Sequence, residues 1–192
     1  MTAQVPDEFR YGGGEEFSLV GMVGEGLFEP ETDFNLKPFS TCTACWRGYQ
    51  MTYDCVDGKL VLQRMYINID DPQEINGIKP RKIEDDDENY YGFKLVYENL
   101  NLKTRFTGKL LLAKDFINSM YVHMGYQRPM AYKTVLEIHV KDGEITEERN
   151  LSKKMAELRK KDRKKDARPD SDSETDIKGW IEKSFSLDYD LD

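Results

Sequence analysis

The chain has 192 residues, 39% of them apolar and 33% charged, with a formal net charge of -8 at pH 7. That length holds one compact domain and an appendage, and no run approaches the ~18 consecutive apolar residues that a membrane span requires. The opening residues lack a basic region followed by an apolar stretch, and the three cysteines cannot all pair, so the expectation is a cytoplasmic protein with neither a secretory signal nor a disulfide scaffold.

In chain order, Gly12-Gly13-Gly14 reads as a flexible lead into a first strand at 17–23. The next strand signal runs from Cys45 through Val56 and meets Asp57-Gly58, after which residues 59–69 form the return strand. Asp-Gly accepts the positive φ angles of a type I′ turn and matches strand twist, so this is a hairpin. On its first strand, alternation places Arg47, Tyr49, Met51, Tyr53 and Cys55 on one face, taken as the inward one. On the return strand Val61, Met65, Ile67 and Ile69 are apolar, while Leu60 and Leu62 occupy the alternate face, as in a strand covered on both sides. Asp70-Asp71-Pro72 ends it. The segment 76–89, with basic residues at 79–82 and acids at 84–88, reads as a solvated loop. Further strands are expected at 91–97 and 105–112. A second hairpin then turns at Asp142-Gly143, between 133–141 and 144–149. No helical periodicity stands out before residue 150.

Charge divides the rest. Residues 151–168 carry nine Lys/Arg against three acids, and residues 169–192 carry eight acids against two lysines, so the net -8 resides in 1–150. Only 3 of the 22 aromatic residues lie beyond 150. The expectation is a β-rich globular domain over 1–150, followed by a charged linker and short amphipathic helix over 151–192. Leu151, Met155 and Leu158 share a stripe at the start of a partly helical, solvated linker. Ile177, Trp180, Ile181 and Phe185 share one helical face further on. That face suits docking, with the tether favouring the chain's own body over a partner's groove.

The block 42–62, with Trp46-Arg47-Gly48-Tyr49, together with His123-Met124-Gly125-Tyr126, 107–112 and 140–143, resembles an uncharacterised bacterial family that pairs a Trp-Arg-Gly-Tyr hairpin with a downstream His-Met-Gly-Tyr segment. The resemblance spans 36–150 and departs from the family's usual Ala-Thr-Trp-Glu-Ile at Met51-Thr52-Tyr53-Asp54-Cys55. It implies one β-rich unit and carries over no activity and no catalytic residue.

Three constellations have chemical content. Cys42 and Cys45 have the Cys-x-x-Cys spacing, but Cys55 and two scattered histidines do not make up a four-ligand zinc site, and the motif runs into a strand rather than a thiolate-stabilising helix. Structural cysteines are the preferred reading, with no cofactor. Arg47, Tyr49, His123 and Tyr126 form the second: an arginine among apolar neighbours needs a carboxylate, carbonyl oxygens or an anion, and a histidine beside it would supply acid–base chemistry. The plainer reading pairs Arg47 with an acid from 84–88 and leaves His123 structural. The basic stretch 153–168 is the third, but acids follow it directly and no stacking aromatics accompany it, which argues against nucleic acid.

The fold class read from the sequence is therefore mainly β, antiparallel hairpins in a sandwich or open barrel with a helical C-terminal tail, and α+β as the alternative. The preferred function is a non-catalytic binding protein, such as an immunity- or antitoxin-like neutralising protein, with a protein partner of basic character suited to the acidic body. The alternatives are a small enzyme using His123 and Arg47 on an anionic substrate, and a nucleic-acid adaptor acting through 153–168. No membrane partner is expected.

Overall fold

A computed structural model describes residues 2–84, 91–161, 171 and 173–189. Its elements are β1 (Glu8–Tyr11), β2 (Glu15–Glu25), α1 (Pro30–Phe34), β3 (Tyr49–Val56), β4 (Lys59–Ile67), β5 (Arg81–Lys82), β6 (Leu95–Lys103), β7 (Thr107–Phe116), β8 (Tyr132–Lys141), β9 (Glu144–Asn150), α2 (Ser152–Lys161) and α3 (Glu174–Phe185). Strands account for 43% of the structure. The mainly β reading with a helical tail holds, and the sheet closes rather than staying open.

Going round the barrel, the order is β3-β1-β2-β7-β8-β9-β4, and β4 returns to β3, giving seven closed strands. All neighbours are antiparallel except β1 and β3, which run parallel. Strand β6 pairs with β4, and β5 with β6, outside that ring. Closure between β4 and β9 depends on the two Asp-Gly turns. The Leu60 N–H donates to Gly143 O and the Ile145 N–H to Gly58 O, both at 2.8 Å, so the tips of the two hairpins join the sheet's ends. Both turns have the positive φ pairs expected of them, 51° and 75° at Asp57-Gly58 and 48° and 77° at Asp142-Gly143.

Inside the barrel, Phe9, Phe17, Leu19, Met51, Tyr53 and Tyr97 form one core with the inward residues of β4, β7 and β8. Strand β4 shows why strict alternation misleads. Leu60, Leu62, Met65 and Ile67 all belong to this core, because a bulge at Gln63, opposite the step from Thr52 to Tyr53 in β3, shifts the phase by one residue. Leu60 and Leu62 are thus inward with Met65 and Ile67, not on an opposite covered face. In β3, Met51 and Tyr53 point inward as expected and Cys55 is only half-buried.

Gly12-Gly13-Gly14 is not a loose lead but the turn of the β1–β2 hairpin, and β1 itself was not anticipated. Residues 91–94 lie outside the ladder and β6 begins at Leu95, because Phe93 packs into a separate cluster with Val5 and Cys45. The segment 76–84 is more than a solvated loop. Asn76 and Gly77 turn between Ile75 and Ile78, Ile75 is buried, and β5 follows. Residues 85–88 of the acidic run lie outside the described residues.

Beyond Asn150 the stretch expected as a solvated linker begins as α2, which lies on the outer face of the barrel. Met155 is 1% exposed and packs with Val20, Leu111, Ala113 and Val135, outward residues of β2, β7 and β8. Arg159 donates to the carbonyls of Met130 and Tyr132 at 2.7 and 2.6 Å. Of the basic stretch, residues 162–168 lie outside the described residues. No described helix is long and apolar enough to cross a membrane.

Candidate functional site

The turn ahead of β3 determines where Arg47 goes. Cys45 N–H donates to Cys42 O and Gly48 N–H to Cys45 O, so residues 42–48 form consecutive turns, and Arg47 precedes the strand instead of pointing from its inner face. Gly48 has φ 73°, and a Cβ there would stand 2.4 Å from Phe39 O, so the turn requires glycine. The parallel β1–β3 pairing then brings up the N-terminal segment. Asp7 accepts from both terminal nitrogens of Arg47, at 2.6 and 2.9 Å, and also from the Met51 N–H at 2.7 Å. The carboxylate partner of Arg47 is therefore Asp7, not a residue of 84–88. This bidentate pair is the geometry in which guanidinium and carboxylate bind most strongly, and it leaves Arg47 Nε buried without an acceptor.

The four residues of the second constellation do not assemble. The Arg47 guanidinium lies 4.7 Å from the centre of the Tyr49 ring, and Tyr49 donates to Glu29 at 2.7 Å. Burial raises the pKa of Tyr49 and of Tyr126, with the charge on Arg47 opposing it in each case. Arg47, Tyr49 and Tyr126 are thus electrostatic neighbours around Asp7. His123 is exposed, its ring edge-on to Tyr121 at 4.9 Å.

The three cysteines are free thiols. Cys42 donates to Tyr91 O and Cys45 to Tyr49 O, so the pair turns to different carbonyls. Burial pushes the Cys45 and Cys55 thiols up, which disfavours thiolate. Among the described residues no three His, Cys, Asp or Glu side chains stand together as metal ligands.

The C-terminal segment builds a cleft that the sequence reading did not find. Helix α3 starts at its N-cap Ser173, whose side chain accepts from the Asp176 N–H. It meets the barrel through its far end and the residues that follow. Phe185 stacks on Trp46 with ring centres 4.8 Å apart, Tyr126 N–H donates to Ser184 O, and Met22 N–H to Leu187 O. Gly125 permits this approach, since a Cβ there would stand 1.9 Å from Ser184 O. Tyr189 lies against Gly21 and donates to Glu137 at 3.0 Å, and Glu137 accepts from His139 Nε2 at 2.7 Å. Of the four residues expected to dock, Phe185 and Trp180 are half-buried, while Ile177 and Ile181 are each 37% exposed. The helix's first turns extend past the barrel, so a shared face is not shared burial. Between α3, α2 and the loop 122–130 lies a cavity of about 350 Å³, lined by Met124, Met130, Met155, Leu158, Trp180 and Tyr189 among others.

No family model matches the chain, no curated protein matches it, and no solved structure matches it.

Proposed function

We propose that the protein is a non-catalytic interaction protein that binds a basic protein partner through an acidic face of its barrel. The observation that carries this reading is the stretch between Arg10 and Lys37, which holds six acids and no Lys or Arg. All six, Glu15, Glu16, Glu25, Glu29, Glu31 and Asp33, are exposed. Glu15, at the start of β2, pairs with Lys114, whereas Glu25 closes β2 and Glu29, Glu31 and Asp33 lie at or in α1. Val23 beside Glu25 is 44% exposed, which adds an apolar contact at the edge of the charged area. Glu25 and Glu31 make no ion pair among the described residues, so their charge is directed at solvent. A field of one sign steers an oppositely charged protein and speeds association by roughly 10- to 1,000-fold at low salt. A neutralising protein of the immunity or antitoxin kind fits this description.

The alternative of an enzyme built on Arg47 and His123 finds no support in the arrangement, because Arg47 is paired with Asp7 and His123 stands with Tyr121. The test starts from proteins retained by the immobilised full chain at low salt and lost when Glu25 and Glu31 are changed to lysine. One such protein is then purified, and its association rate is measured against ionic strength. The rate should fall by about tenfold or more between dilute and physiological salt and be similarly low for the double variant. A partner bound equally well by the double variant, or no retained protein at all, would count against the proposal.

A further inference from the structure

The cavity beneath α3 differs in character from the acidic face. Its volume of about 350 Å³ lies at the small end of the range for ligand pockets, roughly 300–1,000 Å³. The lining is mainly apolar and includes three methionines, Met124, Met130 and Met155, whose unbranched thioethers adapt to slender aliphatic chains. Trp180 and Tyr189 come from the C-terminal segment, so the cavity exists only when that segment is docked.

Its polar groups are not symmetric. Lys183, in the last turn of α3, borders the cavity and makes no ion pair among the described residues. Arg128 and Asp188 also border the cavity. Asp188 limits how much negative charge the rim accepts, which favours a monoanion over a phosphate dianion. The ligand that combines these features has a flexible apolar body and one carboxylate.

We infer that the cavity between α2, α3 and the loop 122–130 is a binding site for a free medium-chain aliphatic carboxylate, with the chain among the methionines and the carboxylate on Lys183. Bound ligand bridges α3 to the barrel face and so fixes the helix in its docked position. Lys183 is exposed, so the test can remove its charge without disturbing a core.

The experiment uses the full chain with Trp46→Phe, which leaves Trp180 as the sole tryptophan of the two and keeps an aromatic ring against Phe185. Decanoate, decanol and decylamine are each titrated below the concentration at which they form micelles, following Trp180 emission and heat. Saturable binding of decanoate is expected, tighter than decanol or decylamine. A charge-assisted hydrogen bond contributes enough that Lys183→Glu should weaken decanoate by about tenfold or more and leave decanol nearly unchanged. Filling the cavity with Met130→Phe should weaken decanoate and decanol together. Absence of saturable decanoate binding overturns the inference, as does equal or tighter binding of the alcohol or amine, or decanoate binding that ignores Lys183→Glu.

Discussion

Among single residues, Asp7 has the largest structural role that the sequence conceals. It holds both terminal nitrogens of Arg47 and caps the Met51 N–H. That Arg47 needs a carboxylate is legible from its apolar neighbours. Which carboxylate it finds is not, because the partner lies 40 residues away and arrives through a parallel pairing of β1 with β3 that no turn signal announces. Asp7→Ala should cost about 3–5 kcal/mol in urea unfolding, since it leaves a buried guanidinium uncompensated, and Asp7→Ala with Arg47→Met should recover much of that loss. Equal losses for the single and double variants would show that the pair does not act as a unit. Tyr11 offers a second test. Burial and its hydrogen bond to Glu148 push its pKa up from 10.0 to about 12. A raised folded value means the contribution is intact below pH 10 and lost as the pH climbs towards 12. The decline in stability over that window should be shallower in Tyr11→Phe, as measured by urea midpoints at successive pH values.

The secondary-structure elements divide by how local their signals are. Both Asp-Gly hairpins can be read directly, since the turn requires φ angles that few other residues accept. The bulge in β4 cannot, because the extra residue at Gln63, opposite the step from Thr52 to Tyr53 in β3, carries no turn chemistry of its own. What the two hairpin tips do to each other is equally hidden, and it separates two glycines that look alike. Gly58 and Gly143 both have positive φ, but a Cβ at Gly58 meets nothing within 4 Å while one at Gly143 would stand 2.3 Å from Thr104 O. Gly58→Ala should therefore cost only the backbone term, about 1–2 kcal/mol, and Gly143→Ala clearly more, with the difference read from thermal unfolding. Helix α2 was legible as a stripe, though its burial was not. Met155→Ala should cost about 2–5 kcal/mol because it opens a cavity between α2 and the barrel. The link from Tyr189 to Glu137 should depend on pH. Burial pulls the Glu137 carboxyl upward, but its hydrogen bonds from His139 and Tyr189 win and hold it below the usual 4.5. A depressed folded value means the anchorage is complete above pH 4.5 and fails as the pH drops through the folded value. Release of the C-terminal segment in acid should appear as a change in Trp46 emission, and Glu137→Gln should abolish that step.

Across the whole molecule, composition separated an aromatic-rich body from a charged C-terminal region, and the closed barrel lies within that body. The amphipathic face over 177–185 announces that the C-terminal region returns to the body, but not where it lands, because the glycines that receive it, Gly21 and Gly125, sit far from it in the chain. The account depends on that return, since it seats Trp180 over the methionines and creates the cavity. The most direct measurement is residue-resolved amide exchange at Met22 and Tyr126, whose N–H groups donate to Leu187 O and Ser184 O. The full chain is compared with one ending at Lys161, and amides of the paired strands β7 and β8 serve as the internal standard. The account predicts that both amides are protected in the full chain and exchange freely in the shorter one while β7 and β8 stay protected. Free exchange of Met22 and Tyr126 in the full chain, or protection that survives the truncation, would contradict it.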